Sequence, residues 1–187
     1  MTEIDGASLG DLTKPMASDI SYLEGRRIPQ RLADLEMPII SAVNGPASVH
    51  SEYVLIADIV IASETAEFSD LPHLTFGVRP GDGLQIVWEE VLGLNRARYY
   101  ALTQGTFTAA QAKECGAVAE VVPQDHVLAR AHDLSESLAA RAQLLTRYAA
   151  ITLRQRISRR MAEGTALGMA LESLTAANLA YLPQRQE

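Results

Sequence analysis

One cysteine, Cys115, stands in 187 residues. That count excludes a disulfide framework and a thiolate-held metal cluster. Aromatic residues are scarce, at 5%. No apolar run approaches the ~20 residues needed to cross a bilayer, and the N-terminus shows no charged-then-apolar signal pattern. A cytoplasmic protein with no membrane partner is expected. Basic residues are in deficit: 16 Lys and Arg against 23 Asp and Glu leave a net charge of −7. That balance argues against a partner with a phosphate backbone, and no nucleic acid is expected. The one basic cluster, "RQRISRR" at 154–160, falls in a helical pattern and reads as a solvated helix face or an oligomer contact. Several motifs are missing as well. There is no His-x-x-x-His or Cys-x-x-Cys pair for zinc, no G-x-S-x-G elbow, and no Walker or G-x-G-x-x-G loop after a strand. Neither a metal nor a cofactor is expected.

What remains is an ordinary globular composition, long enough for one domain with a real core and a helical appendage. A helical pattern runs from Tyr22 to Leu35 and stops before Pro38. "PIISAVNG" is a short β-branched run closed by Asn-Gly, a buried strand followed by a turn. "EYVLIADIVIAS" is too long for one strand and divides into a helical turn, 52–57, and a strand, 59–62. "AEFSD" reads as a third, shorter strand. Leu84, Val87, Trp88, Val91 and Leu92 share one face of a helix that Gly93 ends. Thr108 with Gln111 three residues on marks a capping box, Gly116 marks that helix's end, and "AVAEVVP" reads as a strand. From Asp125 the chain is helical, with interruptions expected near Gly164 and Gly168. Short strands alternating with helices, then a helical tail, give an α/β fold: a core over 1–123 and a helical oligomerisation region over 124–187.

The residues able to do chemistry crowd into 44–83. "NGPASVHSE" sets His50 and Glu52 just after a strand-to-turn transition, where loops carry function over a rigid sheet. "DLPH" sets Asp70 and His73 after the third strand, and "PGDG" holds Asp82 between two glycines. Singly, each reads equally well as a cap, a loop residue or an Asx turn. Together they lie beside strand ends, where ligand crevices form in α/β sheets. A histidine paired with an aspartate is held in one tautomer and made more basic, so that it can take a proton from water.

The ordered segments "MPIISAVNGPA", "ADIVIASETAEFSD", "LTFGVRPGDG" and "LTQGTFTAAQAKECGAVAEVVP" resemble the crotonase (enoyl-CoA hydratase/isomerase) superfamily over about 36–123. The resemblance implies a spiral of ββα units, a helical C-terminal region, and homotrimers or hexamers. It also implies an oxyanion hole of two backbone N–H groups that stabilises an enolate. Family members have several strands before the region matching "EIDGASLG", so the chain reads as N-terminally short, with an incomplete spiral.

Three departures stand out. The Gly-rich run expected after "NGPA" is "SVHS", which inserts His50, puts Val49 at the oxyanion-hole position and keeps Glu52 at the glutamate position. The second glutamate of the hydratases is replaced by His73, and a small loop residue by Asp82. These changes are similar to the β-diketone hydrolase branch typified by 6-oxocamphor hydrolase. That resemblance implies hydrolytic, retro-Claisen cleavage of a cyclic β-diketone. His73 would be the base for water, Asp82 its partner and His50 the donor to the enolate, with Glu172 near the site. Two alternatives stay open: an enoyl-CoA hydratase or isomerase working through Glu52 on an acyl-CoA, and a non-catalytic assembly or binding subunit. Trp88 is expected in the core.

Overall fold

The computed structural model describes residues 15–179. The segment matching "EIDGASLG" lies outside the described residues. In chain order the elements are α1 (Pro15–Ala33), β1 (Ile40–Val43), α2 (Glu52–Leu55), β2 (Ile59–Ser63), β3 (Glu67–Phe68), α3 (Leu71–Thr75), α4 (Leu84–Leu92), α5 (Leu94–Thr103), β4 (Phe107–Thr108), α6 (Ala109–Glu114), β5 (Glu120–Val122), α7 (Val127–Ala139) and α8 (Gln143–Leu179).

β1, β2 and β5 form a parallel sheet in the order β1-β2-β5, with Ile40 opposite Ile59 and Ile61 opposite Glu120. The central strand, β2, carries Val60, Ile61 and Ala62, all buried, as expected for a strand covered on both faces. β3 and β4 make a short antiparallel pair. Its two phenylalanines, Phe68 and Phe107, stack at 5.3 Å, and Trp88 of α4 meets Phe107 edge-on at 5.5 Å. This aromatic trio fixes α4 over the small sheet, and Trp88 is a core residue as expected, 1% exposed.

The division of 52–63 into helix and strand holds, as does the capping box: Gln111 N–H donates to Thr108 Oγ1 and Thr108 N–H to Gln111 Oε1. The sequence pattern errs in three places. α1 begins at Pro15 and runs through Pro29. α8 is continuous through Gly164 and Gly168, where interruptions were expected. A glycine costs a helix ~1 kcal/mol, but here both glycines serve packing. A Cβ on Gly168 would strike the Gly81 carbonyl, and one on Gly164 would come 2.9 Å from the Ile86 side chain.

The basic cluster is the third correction, because Arg154 is buried and not a solvated face residue. Its guanidinium donates to the carbonyls of Leu32 (2.9 Å), Leu35 and Met37 (2.6 Å), closing the C-terminal end of α1, and it pairs with Asp58 at 3.1 Å. Arg160 bridges Glu89 and Glu90 at 2.6 and 2.5 Å. α8 thereby lies along both α1 and α4, and α7 covers β1 and β2. Among the described residues no helix is long and apolar enough to cross a membrane.

Candidate active site

Beyond β1 the chain crosses to β3 through backbone bonds. Ala47 N–H donates to Glu67 O at 2.7 Å, Ser69 N–H to Ala47 O at 3.1 Å, and Leu71 N–H to Ser48 O at 3.1 Å. This stitch brings the segment before α2 alongside the start of α3. His50 follows with φ of +52°, a left-handed conformation that is uncommon for a residue with a Cβ and concentrates at functional sites. Its carbonyl accepts from Tyr53 N–H at 3.0 Å, so the strained residue also opens α2. α2 is anchored from below, where Trp88 Nε1–H donates to Ser51 Oγ at 3.1 Å. Val49 lies half-buried one residue ahead of His50.

His73 sits on α3, one turn after Asp70. Its Nδ1 lies 2.8 and 2.9 Å from the two Asp70 carboxylate oxygens. Asp82 reaches the site from the loop before α4, where Gly83 at φ +114° turns the chain into the helix. α8 grips that loop from the far end of the sequence. Gly81 N–H donates to Glu172 Oε2 at 2.8 Å and Arg79 N–H to Thr175 Oγ1 at 3.0 Å.

His50, Glu52, Asp70, His73, Asp82 and Glu172 converge, but the pairing differs from the expected one. Asp70, not Asp82, takes Nδ1 of His73. Asp82 Oδ2 lies 2.7 Å from Nδ1 of His50, which also stands 3.0 Å from Glu52 Oε1. The reason is local: an Asp three residues before a His on one helical turn already faces it, so no long loop is needed to supply the carboxylate. The two imidazoles meet edge-on, with ring centres 5.3 Å apart. Each has its Nδ1 engaged by carboxylates, and neither Nε2 has a protein partner among the described residues. One residue absent from the sequence reading belongs here too. Tyr53 stacks on His50 and donates from its hydroxyl to Asp82 Oδ2 at 3.2 Å.

Electrostatics sort these groups into charge states. Burial opposes a charge on His50, but the Asp82 and Glu52 carboxylates outweigh it and raise the imidazole to about 11. His50 is therefore a cation at neutral pH. For His73, too, burial lowers the value while Asp70 more than restores it, leaving the group above its ordinary range. Burial would lift Asp82, yet the His50 contact holds it below the usual carboxylate range. Glu52 goes the other way, pushed to about 7 by burial and then by the Asp82 charge. Glu172 is likewise raised to about 7 by burial first and Asp82 second. Glu52 Oε2 and Asp82 Oδ1 are buried without a hydrogen-bond partner among the described residues. A proton on Glu52 relieves the like-charge conflict between the two acids.

His50, His73 and Asp82 each bring one donor atom within 4.8 Å of the others, a set that could hold a metal ion. The proton that His50 keeps up to about pH 11 opposes metal binding there.

A parallel sheet bearing this histidine–carboxylate cluster at its strand ends, with α8 folded back over it, defines a crotonase-type α/β protein. The model for the enoyl-CoA hydratase/isomerase family matches residues 6–179, and the chain belongs to that family. Among solved structures it is similar to a β-diketone hydrolase from the cyanobacterium Anabaena bound to (S)-3-oxocyclohexyl acetic acid. The two share 48% identity over 96% of this chain and 72% of that one, with a TM-score of 0.93. An enoyl-CoA hydratase/isomerase from Mycobacterium paratuberculosis shares 25% identity over 95% of this chain and 74% of that one, TM-score 0.86. The 2,3-dehydroadipyl-CoA hydratase of Escherichia coli is 33% identical over 80% of this chain. The chain spans 60% of that relative's length and 49% of a peroxisomal enoyl-CoA hydratase of Arabidopsis thaliana.

Proposed function

We propose that this crotonase-superfamily chain hydrolyses a C–C bond of a cyclic β-diketone. The observation that carries the reading is the pair of facing imidazoles, each tied at Nδ1 to its own carboxylate and open at Nε2. The two histidines divide the labour by environment. His73 Nε2 takes a proton from water as the water oxygen bonds to one carbonyl carbon. The C–C bond between the carbonyls then breaks, its electron pair passing into the second carbonyl as an enolate. The His50 cation donates from Nε2 to that developing oxyanion, where a fixed donor in a dry site is worth most. The proton taken by His73 goes to the enolate carbon, so the sum is one water added and one keto acid formed. The keto acid held by the Anabaena relative is a product of this chemical type. No organic or metal cofactor enters the scheme.

An acyl-CoA hydratase or isomerase is the second reading. It is favoured by the hydratase names of the curated relatives and by Glu52, a buried carboxyl raised to about 7 and so able to give or take a proton. It is weakened at the second acid/base position, which holds His73. The deciding assay follows loss of a cyclic, non-enolisable 1,3-diketone, with crotonyl-CoA and the His73→Ala variant in parallel. The hydrolase reading expects diketone turnover that His73→Ala abolishes. Crotonyl-CoA hydration without diketone cleavage would overturn it.

A further inference from the structure

Resting on the hydrolase reading above, we infer that Tyr53 is a positioning residue that sets the plane and holds the proton of the His50 imidazole. Two contacts carry this. The phenol ring lies nearly parallel to the imidazole, at 11°, with ring centres 5.0 Å apart. The hydroxyl donates to Asp82 Oδ2 at 3.2 Å, the same oxygen that lies 2.7 Å from His50 Nδ1. One side chain thus touches both halves of the ion pair, the cation through its face and the anion through its hydroxyl. The contacts have separate work to do. An imidazolium over an aromatic face is held by the ring's quadrupole, and the stack prevents the ring from rotating about its Cβ–Cγ bond. The hydroxyl keeps the Asp82 oxygen aimed at Nδ1, so that the opposite nitrogen, Nε2, points toward the open side.

Backbone geometry makes such a clamp necessary. His50 sits at φ +52° in a segment between the Ala47 stitch and α2, where nothing regular fixes its side chain. Tyr53, three residues on, is in α2 and shares that helix with Glu52, whose side chain is buried. The rigid turn thereby supplies two of the three groups that hold the ring. His50 is faced by Glu52 and Tyr53 from α2, Asp82 from the loop before α4, and His73 with its Asp70 from α3; Glu172 of α8 adds its field.

The test separates the two contacts. Tyr53→Phe keeps the stack and removes the hydroxyl; Tyr53→Leu removes both. With 15N-labelled histidine, wild-type His50 is doubly protonated at pH 9. Tyr53→Phe retains that state, whereas Tyr53→Leu shifts its deprotonation downward, toward pH 9. In diketone turnover Tyr53→Phe lowers kcat about tenfold with KM little changed, and Tyr53→Leu lowers it about a hundredfold. Both variants retaining wild-type His50 spectra and kcat would overturn the inference. If Tyr53→Leu fails to fold by circular dichroism, the tenfold fall in Tyr53→Phe decides alone. The histidine spectra need no substrate. A wild-type protein inactive on diketones would therefore sink the hydrolase reading while leaving the clamp measurable, and unchanged spectra in an active enzyme would sink only the clamp.

Discussion

Asp70 is the residue on which the proposed base depends. Its carboxylate lies 2.8 Å from His73 Nδ1 and raises the imidazole above its ordinary range, which fixes the tautomer that leaves Nε2 free to accept. Two consequences follow for rate against pH. In the proposed scheme His73 works as the neutral base, so kcat/KM should rise as pH climbs through its raised value, placing the acid limb above pH 6.5. His50 works there as the cation, so activity in that scheme should hold until its proton leaves near pH 11. Asp70→Asn removes the charge but keeps a hydrogen-bonding group of similar size. The acid limb should then move to lower pH while the plateau of kcat falls about a hundredfold. A pH–rate profile of both proteins measures both effects. An unshifted acid limb would mean that His73 is not the group being titrated.

At the scale of the element, α8 determines where Asp82 stands. Gly168 packs backbone to backbone against Gly81, Glu172 accepts the Gly81 N–H, and Thr175 accepts the Arg79 N–H. These three α8 residues lie along one face at helical spacing, so a single rigid rod grips the loop that carries the carboxylate. A methyl at position 168 must push against a carbonyl, and neither backbone can yield without moving the loop. Gly168→Ala should cost roughly 1–3 kcal/mol in stability, lower Tm by several degrees and reduce kcat with it. Gly164→Ala, which meets only the end of the Ile86 side chain, should be far milder. Thermal melts and turnover of the two variants make the comparison.

The same helix shows why some of the fold was legible in the sequence and some was not. The strands at 40–43 and 59–63, the amphipathic α4 and the capped α6 announce themselves by periodicity and punctuation within a few residues. Gly164 and Gly168 read as breaks because local propensity is all that a window contains. Their packing partners, Gly81 and Ile86, lie about eighty residues upstream. Arg154 reads as a solvated face residue for the same reason, since its acceptors are distant carbonyls at the end of α1. At the site, the residue types and the cluster at 44–83 were visible, and the family resemblance named His50, His73, Asp82, Glu52 and Glu172. The pairing was not. Asp70 carried a short-range signal, the Asp-x-x-His spacing on a turn, whereas Tyr53 carried none, because its role depends on where a loop 29 residues later brings Asp82.

Across the whole molecule the site is a buried store of ionisable groups, and its protonation is coupled to folding. Glu52 and Glu172 are raised to about 7 and His50 to about 11, while His73 is raised and Asp82 lowered. A group raised in the fold binds its proton more tightly there than in the unfolded chain. Its contribution to stability is complete below the unfolded value and disappears as pH rises through the folded one. For the two glutamates that window runs from about 4.5 to about 7, and for His50 from about 6.5 to about 11. Asp82 acts oppositely, contributing above its unfolded value near 3.8 and losing that contribution in acid. The raised groups outnumber the lowered one, so stability should decline from pH 5 to pH 9. Glu172 isolates one part of that decline, because its carboxylate accepts a single N–H from Gly81 and has no charged hydrogen-bond partner among the described residues. Glu172→Gln keeps an oxygen for Gly81 and cannot ionise. Its Tm should match wild type only near pH 4, where the wild-type carboxyl is neutral both folded and unfolded, and exceed it increasingly from about pH 4.5 to about 7, levelling off above that as the folded carboxyl also loses its proton. A difference that stays constant across that range would mean that Glu172 is charged throughout, stabilised by His73 and His50 against the cost of its burial.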